Sequence, residues 1–200
     1  MIDHPLRTRA QCCQALSGSW THELGIYPVP SHFGVFCTDL DLMSEFYCSL
    51  FDLQVTDRGR AVRLSANLVF LSGDPSQHHQ LVLADGRAPG SPSTVMQISF
   101  KVDGLDALRT ARSRALANGA ADLVGLSHGN ALSIYFSDPE SNTVEVYVDT
   151  PWYVAQPHGD PLELDLPDEL VWQRTQDACR AETTYMSIEQ WQHQFRERAR

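Results

Sequence analysis

The segment SHFGVFCTDLDLMSEFYCSLF (residues 31–51) returns, altered but aligned, as MQISFKVDGLDALRTARSRAL (residues 96–116). A constant offset of 65 lays His32 on Gln97, Gly34 on Ser99, Phe36 on Lys101 and Asp41 on Asp106. The same offset lays FLSGDP (70–75) over YFSDPE (135–140) and QLVL (80–83) over EVYV (145–148). One shift held across more than 50 residues marks a duplicated unit, and a repeat of this kind decides the architecture before any motif does.

Each copy reads as a strand, a helix and three more strands. In the first, His32–Cys37 alternates apolar and other residues, and Met43, Phe46, Tyr47 and Leu50 recur at helical spacing within Asp41–Phe51. Four strand-like runs follow, Leu53–Thr56, Ala61–Leu64, Leu68–Ser72 and Gln80–Leu83, one more than three strands need, so one is expected to be a bend. In the second copy the pattern predicts a strand over Ile98–Val102, then a helix over Leu105–Leu116 stopped by Asn118-Gly119. Strands are predicted at Asp122–Leu126, Leu132–Phe136 and Thr143–Val148, with Asp138-Pro139 turning between the last two. The expected fold is α+β: two tandem βαβββ modules, 30–90 and 95–150, forming a curved mixed sheet around a concave site.

The flanks lack the repeat. Residues 1–29 form an N-terminal segment. Residues 151–200 are expected to be a proline-punctuated connector, beginning in DTPWYVAQPHGDPLELDLPDE, followed by a helical C-terminal arm. Helices are predicted at Leu170–Arg180 and Ile188–Arg198, the latter opened by a Ser187/Gln190 capping box with Trp191 and Phe195 on one face. Two roles fit this region: an arm packed on the sheet or forming a homodimer, or Trp152 and Tyr153 covering a substrate pocket.

Composition narrows the partners. The chain has 200 residues, 42% apolar and 20% charged, with a formal net charge of −10. That balance argues against nucleic acid, which needs a basic footprint, and against an anionic membrane surface. No apolar run is long enough to cross a bilayer, and the N-terminus lacks the apolar core of a secretory signal, so the expected location is cytoplasmic. Five cysteines, Cys12, Cys13, Cys37, Cys48 and Cys179, are an odd number without framework spacing. The adjacent Cys12 and Cys13 read as packed or exposed thiols rather than a metal or redox pair.

Repeat symmetry and strand parity select four polar positions. His32 to Gln80 is 48 residues, and so is Gln97 to Glu145. Each begins or sits in a strand whose opposite face is apolar, such as Ile98, Phe100 and Val102 beside Gln97. If the apolar faces pack on the helices, an imidazole, a carboxylate and two amides share the concave face. Left unpaired there, each would cost several kcal/mol. A divalent metal explains them, since His and Glu are metal ligands and a Gln carbonyl can complete a site. A hydrated polar face without metal explains them equally.

The stretch from about 30 to 150 resembles the vicinal oxygen chelate superfamily of paired βαβββ modules, and within it the type I extradiol (catechol ring-cleaving) dioxygenases. SHFGVFCTDLDLMSEFYCSLF resembles the strand opening that carries their first iron-ligand histidine, here His32. DPSQHHQLVLADG resembles their segment with an acid–base histidine, leaving His78 and His79 as alternatives. SHGNALSIYFSDPESNTVEVYVD resembles their run from a His just outside the ligand set, through an active-site Tyr, to a ligand Glu, here His128, Tyr135 and Glu145. The resemblance implies a metal on His32, Gln97 and Glu145, with Fe(II) first and Mn(II) or another divalent ion second. It also implies a small aromatic diol and O₂ as substrates. Gln80, Phe36, Ser99, Trp152 and Tyr153 are the candidate substrate contacts.

The departure is Gln97, where the family's segment carries a second ligand histidine. An amide oxygen is neutral like imidazole but a harder, weaker donor, which loosens Fe(II) and favours Mn(II) or Mg(II). Either Gln97 ligates through oxygen or it hydrogen-bonds substrate. Two other functions use the same positions: a glyoxalase-like isomerase or lyase, and a metal-free small-molecule-binding protein of the drug-sequestering kind.

Overall fold

The computed structural model describes residues 29–198. The predicted N-terminal segment, with Cys12, Cys13, His4 and His22, lies outside the described residues apart from Val29.

The two copies follow one another with the same element order. The first is β1 (Phe33–Cys37), α1 (Leu40–Phe51), β2 (Gln54–Arg60), β3 (Asn67–Ser72) and β4 (Leu81–Asp85). The second is β5 (Ile98–Lys101), α2 (Leu105–Ala117), β6 (Ala121–Ser127), β7 (Ala131–Ser137) and β8 (Thr143–Asp149). β1 and β5 each pair in parallel with the last strand of their own copy, and the remaining pairs are antiparallel. The supernumerary segment is Ala61–Leu64, which is the connection between β2 and β3. Its apolar residues find no core: Val62 and Leu64 are exposed.

Local chemistry sets the helix ends. Asp39 caps α1, its Oδ1 accepting from the Asp41 and Leu42 amides at 3.0 Å. α2 ends as expected: Gly119 takes a φ of +88°, in the left-handed region where glycine is free of side-chain strain. Met43, Phe46, Tyr47 and Leu50 of α1 are buried together with Leu105, Leu108, Ala111 and Ala115 of α2 in one core shared by both copies.

β1 and β5 exchange no ladder, so each copy forms its own sheet, ordered β1-β4-β3-β2 in the first and β6-β7-β8-β5 in the second. Side chains join them. The Phe100 ring lies 4.3 Å from Phe51 and 5.9 Å from Phe33, centroid to centroid. The β7–β8 turn adds a polar clasp, Asp138 to Tyr47 and Glu140 to the amides of Thr38 and Asp39.

The connector holds more structure than its prolines suggest. β9 (Trp152–Tyr153) pairs with β11 (Met186–Ser187), and β10 (Asp160–Pro161) adds to the edge of β6. Extended pieces between prolines borrow hydrogen bonds from these edges, a tertiary effect that local pattern does not carry. α3 (Asp168–Arg180) and α4 (Ile188–Arg198) complete the arm. The Ser187/Gln190 capping box is present in both directions, at 3.1 and 3.2 Å. Tyr153, Trp191 and Phe195 stack in succession, each pair 5.5 Å apart. Among the described residues, no helix is long and apolar enough to cross a membrane.

Candidate functional site

Strand register builds the site in the second copy. Ser99 on β5 lies opposite Glu145 on β8, which lies opposite Tyr135 on β7. Pleat alternation sends all three side chains to the face opposite Val144 and Val146, which are buried in the core. Glu145 is itself 7% exposed. Its Oε1 accepts from Ser133 Oγ at 2.9 Å and from the Tyr135 hydroxyl at 2.5 Å. Its Oε2 accepts from Ser99 Oγ at 2.6 Å and from Gln97 Nε2 at 2.7 Å.

The contact chain continues beyond the carboxylate. His128 Nε2 lies 2.8 Å from the Tyr135 hydroxyl, and His128 Nδ1 lies 3.0 Å from the carbonyl of His158. A carbonyl only accepts, so Nδ1 carries a hydrogen and Nε2 is the nitrogen turned to Tyr135. Burial, then the Glu145 carboxylate it donates to, pushes the Tyr135 phenol well above its usual value, so it remains a neutral hydroxyl. The connector supports His128 from behind. Gln156 Nε2 donates to the His128 carbonyl at 2.7 Å. Gly129, at φ +74°, lets Val154 approach where a Cβ would lie 2.1 Å from its Cγ2. Sequence reasoning passed over Gln156 and His158 because their contribution comes through the chain's return from the arm.

The first copy carries a separate imidazole cluster. The His32 and His79 rings are 4.3 Å apart, and both His78 and His79 edge onto Phe70. His78 Nε2 lies 2.7 Å from Asp57 Oδ2, and His78 Nδ1 lies 2.9 Å from His79 Nδ1. Desolvation first, then His32 and His78, holds His79 below its usual value. Asp57 is the residue missed in the sequence. It follows a register shift between Val55 and Asp57 in β2, the kind of bulge that re-aims a side chain.

Several candidates lie elsewhere than expected. Gln80 turns back on its own hairpin, its Oε1 accepting from the Gly73 amide at 2.9 Å. Trp152 is buried with Val154 and Cys179, and Tyr153 stacks on Trp191, so neither walls the Glu145 site. Both belong to the arm because β9 pairs there with β11. Phe36 is half exposed and lines a cavity with Gly34, Arg87, Ser93 and Val95. Ser99 sits directly on Glu145.

The expected metal set does not assemble. Glu145 has about four lone-pair directions, and four protein donors occupy them. Gln97 offers Glu145 its nitrogen rather than its carbonyl oxygen. His32 contacts His79 and makes no hydrogen bond to Gln97 or Glu145. Among the described residues, no group of three or more His, Cys, Asp or Glu side chains is arranged to hold a metal ion. The donor set therefore does not fit the ion that the resemblance implies.

Residues 30–146 match the family model described as the glyoxalase/bleomycin resistance protein/dioxygenase superfamily. A relative from Rhodococcus globerulus, biphenyl-2,3-diol 1,2-dioxygenase 2, is 25% identical over 128 residues, 61% of this chain and 63% of that protein. The match thus spans less than two thirds of that relative's length. Among solved structures, a glyoxylase/bleomycin resistance protein/dioxygenase domain from Frankia sp. EAN1pec superposes with a TM-score of 0.53 at 19% identity, over 67% of this chain and 96% of that one. The fosfomycin resistance protein FosX from Mesorhizobium loti superposes with a TM-score of 0.48 at 23% identity, over 62% of this chain and 94% of that one. The Frankia structure shows the shared fold.

Proposed function

Because the chain belongs to the glyoxalase/bleomycin resistance protein/dioxygenase superfamily, we propose that its polar face receives a small aromatic molecule with adjacent oxygens, a catechol-like diol. The observation that carries this reading is the contact chain from His158 through His128 and Tyr135 to Glu145. It offers a neutral hydroxyl and an imidazole side by side, donors and acceptors suited to phenolic oxygens. In the first copy, His79 keeps its lone pair free at neutral pH and is the base for a phenol proton. Phe70 and Phe36 on that copy are the aromatic surface for the ring.

Calorimetric titration with biphenyl-2,3-diol, catechol and 1,2-dimethoxybenzene tests this. Binding of the diols and not of the dimethyl ether is expected, with Tyr135→Phe weakening the diols about tenfold, ~1.4 kcal/mol. Equal binding of the ether, or no diol binding, would sink the reading.

The 25% identity to a biphenyl-diol dioxygenase favours a second, more specific form: ring cleavage with Fe(II), or Mn(II), and O₂. It requires His32, Gln97 and Glu145 to gather around one ion. Anaerobic Fe(II) loading followed by O₂ uptake on the same diols tests it, and no uptake with any diol removes it. We also propose a homodimer through the arm, where Phe195 is exposed beside Trp191. Sedimentation of the full chain and of Phe195→Ser is the check; a monomeric wild type would refute it.

A further inference from the structure

We propose that Gln97 closes this site to metal, and that Glu145 serves as a hydrogen-bonded anchor for Tyr135 rather than as a ligand. The amide orientation follows from its neighbours. Gln97 Nε2 faces two oxygens, Glu145 Oε2 at 2.7 Å and Ser99 Oγ at 2.9 Å. Ser99 gives its single hydrogen to Glu145 at 2.6 Å, so toward Gln97 it can only accept. The nitrogen end of the amide satisfies both oxygens. The oxygen end would meet a carboxylate and a lone pair.

The carboxylate is correspondingly committed. Two hydroxyls hold Oε1, and a hydroxyl and an amide hold Oε2, all within 2.9 Å. Hydrogen bonds to a carboxylate are short and about twice as strong as neutral ones. A divalent ion would have to displace at least one of them. It would gain in return a single carboxylate and a weak amide oxygen, because His32 is packed on His79 instead. An imidazole at position 97 would have no second N–H to give Ser99. The glutamine has two, and this network uses both.

What the anchor does is set Tyr135. The Tyr135 hydroxyl gives its hydrogen to Glu145, so toward His128 it can only accept, from Nε2 when that nitrogen carries a proton as well. In the second copy, recognition then rests on Tyr135 and His128 without a charged ion to polarise the ligand. This goes beyond the ligand proposal, and its metal test decides between a metal-free site and the iron-dependent form.

The test uses the full chain stripped with chelator, then dialysed with Mn(II), Zn(II) or anaerobic Fe(II). Metal content and thermal unfolding are the readouts, and no diol is present, so failure of the ligand proposal is scored separately. Expected are no retained metal above a buffer control and an unchanged melting temperature. One equivalent per chain that raises the melting temperature, and that Glu145→Gln abolishes, would overturn the proposal. In metal-free buffer, Gln97→Met keeps the side-chain length and removes the donor. A drop in melting temperature of several degrees is expected. A residue waiting for a metal would show no drop, and that outcome also overturns it.

Discussion

Tyr47 of α1 donates its hydroxyl to Asp138 of the β7–β8 turn at 2.9 Å, and both side chains are buried. The bond crosses from one copy of the repeat to the other. Asp138 also accepts from the amides of Glu140 and Asn142 and from Asn142 Nδ2. Tyr47→Phe removes one of these four donors without removing volume. The expected cost is about 1–3 kcal/mol, the range for leaving a buried acceptor short. Urea unfolding measures it, and an unchanged midpoint would show that the bond holds nothing together.

A larger loss is expected at Arg87. Its guanidinium donates to the Glu140 carbonyl and to Asn142 Oδ1, both at 3.0 Å, and to the Ser91 carbonyl at 2.8 Å. Its side chain and that of Glu140 are 10% and 9% exposed, with the charged groups 3.6 Å apart. Glu140 in turn accepts from the Thr38 and Asp39 amides at 2.7 Å, just before α1. Arg87→Met leaves that buried carboxylate without its counter-charge. A loss of about 3–5 kcal/mol is expected by chemical denaturation, against a smaller one for Glu140→Gln, which keeps an acceptor for the two amides. Equal effects of the two variants would contradict this.

The repeat made most of this readable. Its offset of 65 carries Phe70 onto Tyr135 and Gln80 onto Glu145, and pleat parity then puts Gln97, Ser99, Tyr135 and Glu145 on one face. Parity says which face a side chain leaves from, not what it reaches. Gln80 lies in the bend just before β4, where its side chain folds back to accept from the Gly73 amide. Asp57 was hidden because a bulge breaks the alternation that would have flagged it. Trp152 and Tyr153 were misplaced because β9 pairs with β11, more than 30 residues away, where no local pattern points.

Cys37 gives a prediction in pH. It is fully buried, its Sγ contacts the Ala84 carbonyl at 3.4 Å, and burial with nearby Glu140, Asp85, Asp39 and Asp138 pushes the thiol up to about 12 from 9.0. The unfolded chain releases this proton near 9, the folded chain only near 12. Between those values the folded state binds more protons, so stability falls as pH rises. The contribution is fully present below pH 9 and lost through pH 12. Cys37→Ala should therefore flatten the decline in unfolding free energy measured from pH 8 upward. An identical slope in both proteins would refute it. Native protein should also leave Cys37 unalkylated by iodoacetamide at pH 8.

Asp57 gives one in tautomers. Its carboxylate lies 2.7 Å from His78 Nε2, so that nitrogen carries the hydrogen. The two Nδ1 atoms of His78 and His79 face each other at 2.9 Å, so one donates and the other accepts; with His79 as the donor, the hydrogen on His78 stays on Nε2 toward Asp57. His79 then keeps a lone pair on Nε2, and its ring centroid lies 4.3 Å from that of His32. Asp57→Ala removes the group that fixes this order, although no hydrogen bond joins Asp57 to His79. Nitrogen NMR of ¹⁵N-histidine protein should show His79 protonated on Nδ1 in the wild type, and mixed tautomers at both histidines in the variant. Ring-nitrogen signals of His79 that do not move on loss of Asp57 would show that the three residues form no relay, and that the base in the first copy is set by burial alone.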